Sequence, residues 1–427
     1  RNRKGKRAGE ELYEPLYTME DAERVIKCFD TYPYNQIVSL CEGIRVRFID
    51  VGHLLGSASI EVWLEEDGTK KKLVFSGDIG NINQPLIKDP NYIHDADYVV
   101  MESTYGDRNH KPVPNYADSL TEIIQKTFDR GGNVVIPSFA VGRTQELLYF
   151  LRDIVNNKRI KGHDRFPVYV DSPLAVEATN VFNKNIIGYF DDEAMALINQ
   201  GINPITFPGL NISVTSDESK AINFDERCKI IISASGMCEA GRIRHHLKHN
   251  LWRKESTIVF VGYQANGSLG RALLEGAKEV KLFGETITVN AEITRLEGIS
   301  GHADQAGLLR WLGEFKQKPQ HVFVVHGENE TCDSFAALLQ NEYGYQVDAP
   351  YFGASWDLAV NRCLYSGTDL EQKKAATKPS RPNNVFLRLV AAGQRLMAVI
   401  KHNEGGTNKD LAKFADQISN LCDKWER

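Results

Sequence analysis

The chain has 427 residues, of which 42% are hydrophobic and 25% charged, and its formal net charge is −5. This composition is typical of a soluble globular protein, and the length allows two or three domains. A mildly acidic chain is not a general polyanion binder, so any nucleic-acid contact must come from a local basic patch. The seven scattered cysteines form no CxxC pair, which predicts reduced thiols and a cytoplasmic location. No apolar run approaches the roughly 18 residues that a membrane span requires.

The sequence opens with a strongly basic stretch, RNRKGKRAGEELYEPLYT, in which five of the first seven residues are basic. Such a run is usually a solvated arm. It could equally lie in the interior of a longer chain, so both interpretations stay open.

Residues 44–77 (IRVRFIDVGHLLGSASIEVWLEEDGTKKKLVFSG) have a sequence pattern typical of antiparallel strands. Short alternating runs are separated by loops, and Asp67-Gly68 is a typical hairpin turn. We expect the first sheet of the protein to begin here.

Short apolar runs that end in Gly, Ser, Asp, Glu or His recur along the chain and alternate with helical stretches. In 141–157, for example, Leu147, Leu148, Leu151 and Ile154 recur at helical spacing. This alternation predicts α/β layering with buried strands, in which ligand-binding groups lie at the carboxyl ends of the strands. The runs are KLVFSGD (72–78), YVVMEST (98–104), NVVIPSF (133–139), PVYVDSP (167–173), KIIISAS (229–235), TIVFVGY (257–263) and HVFVVHG (321–327).

Towards the end of the chain, 283–297 returns to alternating strands, 372–384 is a polar linker, and two helices follow at 386–400 and 408–425. The apolar face of the first helix predicts packing on the body or on a second copy, so a homodimer is a hypothesis. Antiparallel-strand patterns before and after a segment of alternating strands and helices predict one domain interrupted by an inserted one. The predicted division is 1–112 (first domain, first part), 113–275 (inserted domain), 276–368 (first domain, second part) and 369–427 (linker and helical extension).

Five polar residues at predicted strand ends or loops are candidates for chemistry: His53, Asp78, Glu102, His302 and His326. Each has an ordinary alternative when taken alone. A lone histidine is usually a hydrogen-bonded structural residue, and an aspartate such as Asp78 commonly caps its own turn. His302 could simply precede a helix that begins near Asp304.

Taken together and in order, the motifs around these residues resemble the metallo-β-lactamase-fold nucleases of the β-CASP family. The likeness extends from about residue 14 to about residue 365. It implies an α/β fold, a metallo-β-lactamase αββα sandwich with an inserted Rossmann-like β-CASP domain. The segments that carry it are GHLLGSAS, FSGDIG, ESTYGDR, SGHADQ and VVHGE, with PSFAVGRTQELL, DSPLA, ASGMCEAGRIRHHL and GYQANGSLGRALL in the insertion.

The resemblance also implies the roles of individual residues. His53 would bind one metal ion, His326 a second, and Asp78 both. Neutral imidazoles and a shared carboxylate suit zinc, with manganese as an alternative, and two such ions would provide a hydroxide for in-line attack on a phosphate. Glu102 and His302 would form an acid pair in which His302 gives a proton to the departing ribose oxygen.

The chain departs from the family at the main metal motif, His-x-His-x-Asp-His, because its eleven histidines include no HxH. The family places that motif before the region equivalent to Arg1, and we expect it to precede Arg1 in the complete protein, which would hold two zinc ions. The alternative is a degenerate relative that no longer cuts RNA.

Several polar residues at strand ends and helix starts of the insertion are candidate RNA ligands, since phosphates dock on such positions. For any one of them, the ordinary alternative is a solvated or salt-bridged side chain. The candidates are Ser138, Arg143, Ser172, Ser235, Arg242 and Arg271, with Asp171 and Gln264 nearby.

The leading hypothesis is therefore a zinc-dependent ribonuclease that acts on single-stranded RNA. The first alternative is a catalytically inactive RNA-binding scaffold of the same family. A small-molecule hydrolase on the same metal-binding fold is a third candidate. The large insertion argues against it, because such an insertion would cover the site and leave a cleft wide enough for one nucleic-acid strand.

Overall fold

The structure of the chain is a computed structural model that describes residues 16–110, 115–296, 300–368, 392–393, 396–397, 399–401, 403 and 407–425. The basic run at the start and the linker at 372–384 lie outside these residues, as does most of the helix predicted at 386–400. The chain divides into two compact units, one reaching Pro350 and including Trp356–Arg362, the other containing Tyr351–Ser355 and the residues from Cys363 onward.

Strands and short helices alternate along the chain. The strands are β1 (Val38–Cys41), β2 (Ile44–Asp50), β3 (Ala58–Glu66), β4 (Thr69–Phe75), β5 (Tyr98–Glu102), β6 (Val134–Pro137), β7 (Val168–Val170), β8 (Leu210–Ile212), β9 (Ile230–Ser233), β10 (Thr257–Phe260), β11 (Glu279–Leu282), β12 (Glu285–Thr288), β13 (Glu292–Arg295), β14 (His321–Val325), β15 (Val347–Asp348), β16 (Ser355–Asp357) and β17 (Arg362–Tyr365). The helices are α1 (Met19–Ile26), α2 (Tyr116–Asp129), α3 (Arg143–Asn156), α4 (Pro173–Lys184), α5 (Asp192–Asn199), α6 (Ser216–Ile222), α7 (Ile243–Asn250), α8 (Leu269–Leu274), α9 (Gln305–Gly313), α10 (Asn329–Asn341) and α11 (Asn408–Trp425).

The first sheet has seven strands in the order β1-β2-β3-β4-β5-β14-β15. Strands β2, β3 and β4 pair antiparallel, as predicted for 44–77, whereas β4, β5 and β14 pair in parallel. Asp67 and Gly68 both adopt positive φ in the β3–β4 turn, which the right-handed twist of a hairpin favours. Strands β2, β4, β5 and β14 therefore all run in one direction, and their carboxyl ends lie at one edge of the sheet.

Both faces of this sheet bear apolar side chains, which explains the continuous apolar runs in its strands. On one face, strand residues pack against Trp311 of α9 and Phe335 of α10, both fully buried. On the other face, Tyr98 and Phe323 pack with Trp356. The buried strands fix the positions of the loops that follow them.

The second sheet has six strands in the order β13-β10-β6-β9-β7-β8, and all of its pairings are parallel. Successive residues of its strands alternate between two cores: Val134 and Ile136 of β6 face a core that includes α2 and α3, whereas Val135 faces α7 and α8. This doubly covered parallel sheet is the predicted Rossmann-like insertion, and the α/β fold class is confirmed.

Strand β13 joins the six-stranded sheet, where it pairs in parallel with β10. The sequence analysis had assigned residues from 276 onward to the second part of the first domain, and the strand pairing differs from that assignment. An alternating pattern shows that a segment is a strand but not which sheet it joins, because the partner is chosen in tertiary structure. The predicted domain boundaries, including the one at 275/276, stay predictions.

Helix α11 begins at Asn408 and ends at Trp425, matching the predicted helix at 408–425. Within the described residues, no helix is both long enough and apolar enough to cross a membrane. The seven cysteines, all of them in the described part of the chain, are free thiols.

Candidate metal and catalytic site

The five candidate residues of the sequence analysis lie at one edge of the seven-stranded sheet. His53, Asp78 and His326 come one to three residues after β2, β4 and β14, respectively, and Glu102 is the last residue of β5. His302 lies in the segment before α9. Parallel strands thus bring together side chains that are up to 273 positions apart in the sequence.

The loop that carries His53 is a compact turn closed by Ser57. The Ser57 hydroxyl accepts hydrogen bonds from the backbone N–H groups of His53 and Leu54, both at 3.1 Å. The Asp50 carboxylate accepts from the Gly52 N–H at 2.9 Å. These bonds direct the His53 imidazole over the sheet edge.

Asp78 and His302 are brought together by a short backbone pairing between their loops. Gly80 forms an isolated antiparallel bridge with His302, and the Ala303 N–H donates to the Ile79 carbonyl at 2.8 Å. An ideal Cβ on Gly80 would lie 2.0 Å from the Gly52 carbonyl oxygen, so only glycine allows this approach.

The Asp78 carboxylate stands between the two other candidate ligands. His53 Nε2 lies 3.7 Å from Asp78 Oδ2, and His326 Nδ1 lies 3.5 Å from Asp78 Oδ1. These distances are long for hydrogen bonds. Two ligands of one tetrahedral zinc ion stand about 3.3 Å apart when each bond is about 2.0 Å long. The spacing and the N/O donor set therefore fit a zinc-type ion in each gap.

The electrostatics of His53 also fit ligation. Burial, and after it the positive charge that His302 can carry, lower the pKa of His53. A lowered pKa keeps the imidazole neutral near pH 7, which is the form that binds a metal. A ligand atom of His302 also lies within 4.8 Å of ligand atoms of His53 and Asp78, so the structure brings a third imidazole to the group.

His302 is paired with a buried carboxylate. Its Nδ1 lies 3.0 and 3.1 Å from the two Glu102 oxygens, and Glu102 is only 2% exposed. Burial acts to lower the pKa of His302, but the hydrogen bond to Glu102 and the Glu102 charge outweigh it and raise the pKa. Burial acts to raise the pKa of Glu102, but the bonds from His302, Thr104 and Ile79 outweigh it and lower the pKa.

This pairing fixes which nitrogen of His302 is available for proton transfer. An ionised carboxylate only accepts hydrogen bonds, so Nδ1 carries the proton that faces Glu102. The Ile79 and Thr104 N–H groups donate to the same carboxylate at 2.6 and 3.2 Å, which holds it in place. His302 Nε2 is then the nitrogen left to exchange a proton.

Gly301 is required by a close contact rather than by an unusual backbone conformation. Its φ is not positive, but an ideal Cβ would lie 2.9 Å from His53 Cε1. Glycine is needed here because the His53 ring lies against the backbone. The helix after it begins as predicted: Asp304 caps α9 by accepting from the Gly307 N–H.

His110 and Thr104 are two further residues at the site that sequence reasoning missed. His110 Nε2 lies 3.0 Å from the His302 carbonyl oxygen, and the His110 N–H donates to Asp304 at 3.0 Å. Thr104 Oγ1 lies 3.2 Å from His326 Nδ1. Both residues are part of or follow ESTYGDR, so their proximity to that motif was the available signal.

A cavity of about 500 Å³ opens beside part of the site and is lined by His53, Thr104 and His302. Its walls come from both sheets: His53, Thr104 and His302 belong to loops of the first sheet, whereas Phe139 and Arg143 belong to the loop and helix after β6. The candidate catalytic pair therefore lies in a cleft between the two sheets.

The six predicted RNA-binding residues all form hydrogen bonds or ion pairs with other residues of the protein. Arg143 pairs with Glu146, and Arg242 pairs with the buried Asp171 at 2.7 Å. The remaining four also have internal partners. Ser138 is buried and bonds to the Phe139 carbonyl and Thr144 Oγ1, Ser172 is buried as the cap of α4, Ser235 donates to the Ala240 carbonyl, and Arg271 pairs with Glu275. A role for any of these six in RNA binding stays a prediction.

The fold and the site define a metallo-β-lactamase-type hydrolase with an inserted α/β domain. Residues 144–273 match the Beta-Casp domain, and residues 286–350 match the family described as Zn-dependent metallo-hydrolase RNA specificity domain.

Curated relatives cover most of the chain. Ribonuclease TTHA0252 of Thermus thermophilus is 36% identical over 80% of this chain and 75% of its own length. An RNase J-like protein of Methanocaldococcus jannaschii is 34% identical over 76% of this chain and 73% of its own length. The transcription termination factor FttA of Pyrococcus abyssi is 31% identical over 79% of this chain but only 52% of its own length. The chain belongs to the β-CASP family of metallo-β-lactamase-fold proteins, which confirms the predicted family.

Proposed function

We propose that this chain is a metal-dependent ribonuclease that hydrolyses phosphodiester bonds of single-stranded RNA. The observation that carries the proposal is the convergence of His53, Asp78 and His326 beside the buried Glu102–His302 pair, in a cleft between two sheets. The relatives named as ribonucleases support RNA as the substrate.

The residues of this chain would hold metal as follows. His53 and Asp78 would contact one ion, and Asp78 and His326 a second, so that the protein would bind two zinc ions, with manganese as an alternative. Zinc, when bound, supplies Lewis acidity that polarises a phosphodiester and makes water more acidic.

The Glu102–His302 pair would supply the proton. Glu102 holds Nδ1, so Nε2 of His302 is directed to give a proton to the departing ribose oxygen, and Glu102 stabilises the imidazolium before that step. Cleavage in this direction leaves a 3′-hydroxyl and a 5′-phosphate.

The test is cleavage of a 5′-labelled single-stranded RNA by the full-length protein with zinc or manganese. Asp78→Asn and His302→Ala should each lower kcat/KM by at least about 100-fold, the usual contribution of a general acid. The matched control is His94→Ala, because His94 is exposed and its Nδ1 lies 3.0 Å from the Glu314 carbonyl oxygen, outside the residues that line the cavity. Cleavage that His302→Ala leaves unchanged would refute the assigned chemistry.

Metal analysis separates the nuclease from the inactive scaffold. Close to two ions per full-length protein, together with cleavage, supports the proposal. RNA binding without metal and without cleavage would instead identify the scaffold.

A further inference from the structure

The cavity beside the candidate site has two walls of different chemistry. The wall from the first sheet carries the polar side chains of His53, Thr104 and His302, beside Leu54 and Tyr105. The wall from the second sheet is largely apolar, and its lining includes Phe139, Ala140, Val141, Leu174, Met237 and Tyr263.

Several apolar side chains of that second wall are open to solvent. Phe139 is 46% exposed, Tyr263 36% and Leu174 64%. A cluster of exposed large apolar side chains inside a cleft is unusual for a surface without a ligand. Two of them are aromatic, so the wall places two partly exposed rings in the same cavity as His53 and His302.

Phe139 and Tyr263 are each positioned by contacts with neighbouring residues of the protein. An ideal Cβ on Gly236 would lie 3.0 Å from Phe139 Cδ2, so the Phe139 ring rests on the bare backbone there. The Thr144 hydroxyl donates to the Phe139 carbonyl at 2.7 Å. The Tyr263 hydroxyl donates to Glu328 at 2.9 Å, across the cleft and two residues from His326. These contacts restrict the positions of both residues without a ligand.

The cleft offers little net positive charge for phosphates. Among the described residues that line this cavity, Arg143 is the one lysine or arginine, and it pairs with Glu146, which lines the same cavity. Recognition in this cleft must therefore rely on something other than free basic side chains.

We infer that this cavity binds unpaired nucleotide bases by stacking them on Phe139 and Tyr263, next to the phosphodiester that is cut. The inference rests on the proposed function and deepens it, because it names the substrate as RNA whose bases are unstacked at the cleavage point. Base stacking on an aromatic side chain is tolerant of sequence and contributes enough for a several-fold to 100-fold effect when it is removed, about 1–3 kcal/mol per base. A duplex could not present its bases in this way.

The experiment is an abasic scan of a short single-stranded RNA in which the position of any cut has been mapped. Every nucleotide is replaced in turn by an abasic ribose, and both kcat/KM and the dissociation constant are measured for the full-length protein. Wild type should lose about tenfold or more in kcat/KM at one or two positions that flank the cut. Phe139→Ala and Tyr263→Ala should lower the rate on unmodified RNA and should each abolish the abasic penalty at one position.

Three controls keep the result specific. Phe139→Leu keeps an apolar side chain without a ring, so it should resemble Phe139→Ala. Tyr263→Phe keeps the ring but loses the bond to Glu328, so it should retain the abasic penalty. Phe224→Ala removes an aromatic side chain that is 82% exposed and outside the cavity, and it should match wild type.

The inference is overturned if no abasic position lowers kcat/KM or affinity in wild type, or if both alanine variants keep the full penalty. Absence of cleavage by wild type would refute the nuclease alone, since the penalty on the dissociation constant still measures stacking. A wild-type protein that neither cuts nor binds unmodified RNA would overturn both.

Discussion

The most decisive single substitution at the site is Glu102→Gln, which keeps the shape of the side chain but removes its charge. The carboxylate accepts hydrogen bonds from the Ile79 N–H at 2.6 Å and the Thr104 N–H at 3.2 Å, and it faces His302 Nδ1. A glutamine has one oxygen and one NH₂ group. Whichever way the amide turns, one backbone N–H faces another donor.

The expected magnitude follows from these contacts. A charge-assisted hydrogen bond contributes about 1.5–3 kcal/mol, and a buried N–H without an acceptor costs about 1–3 kcal/mol. If about 3 kcal/mol of this total is lost from the transition state, kcat/KM falls by roughly 150-fold. The remainder should appear as a lower melting temperature.

The assay measures kcat/KM on labelled single-stranded RNA together with thermal unfolding of each variant. Glu226→Gln is the matched control, because Glu226 is an exposed glutamate in the second sheet's domain. Glu102→Asp keeps the charge on a shorter side chain and should recover only part of the rate. A folded Glu102→Gln protein within about threefold of wild-type kcat/KM would refute the view that Glu102 orients His302.

Three further predictions follow from contacts of described residues. His110→Ala should lower kcat about fivefold with little change in KM, and His110→Gln should restore most of it, because the imidazole supports the His302 carbonyl through one hydrogen bond. Burial acts to raise the pKa of Asp171, but hydrogen bonds from its partners outweigh it and lower the pKa to about 2, below the ordinary 3.8. The ionised Asp171 carboxylate should therefore stabilise the folded protein by about 2 kcal/mol above pH 4, and this stabilisation should be lost as the pH falls towards 2. The difference in melting temperature between wild type and Asp171→Asn should accordingly shrink from pH 6 to pH 3. A difference that does not change with pH would contradict this. Asp78→Asn should lower the zinc content after desalting, measured by elemental analysis, whereas Asp217→Asn, at an exposed position, should not.

Much of the fold could be predicted because its strands are buried. A strand covered on both faces must be apolar throughout, as in HVFVV before His326, and the polar residue that follows marks the sheet edge. The five candidate site residues were identifiable for this reason, together with the order of their motifs. The placement of β13 could not be predicted, because Thr294 and its neighbours alternate in the same way whichever sheet they join.

The partners of the arginines explain where sequence reasoning about the RNA interface is weakest. An arginine that follows a glycine is predicted to bind phosphate on the assumption that its guanidinium faces solvent. Arg242 instead pairs with Asp171, which lies 71 positions away, and it also donates to the Ser213 and Val214 carbonyls. No local pattern reports a pairing at that separation. The apolar wall of the cleft could not be predicted for a similar reason, since Phe139 and Tyr263 are distant in the sequence and each follows an ordinary buried strand. Their shared cavity exists only because β6 and β10 are neighbours in the folded sheet.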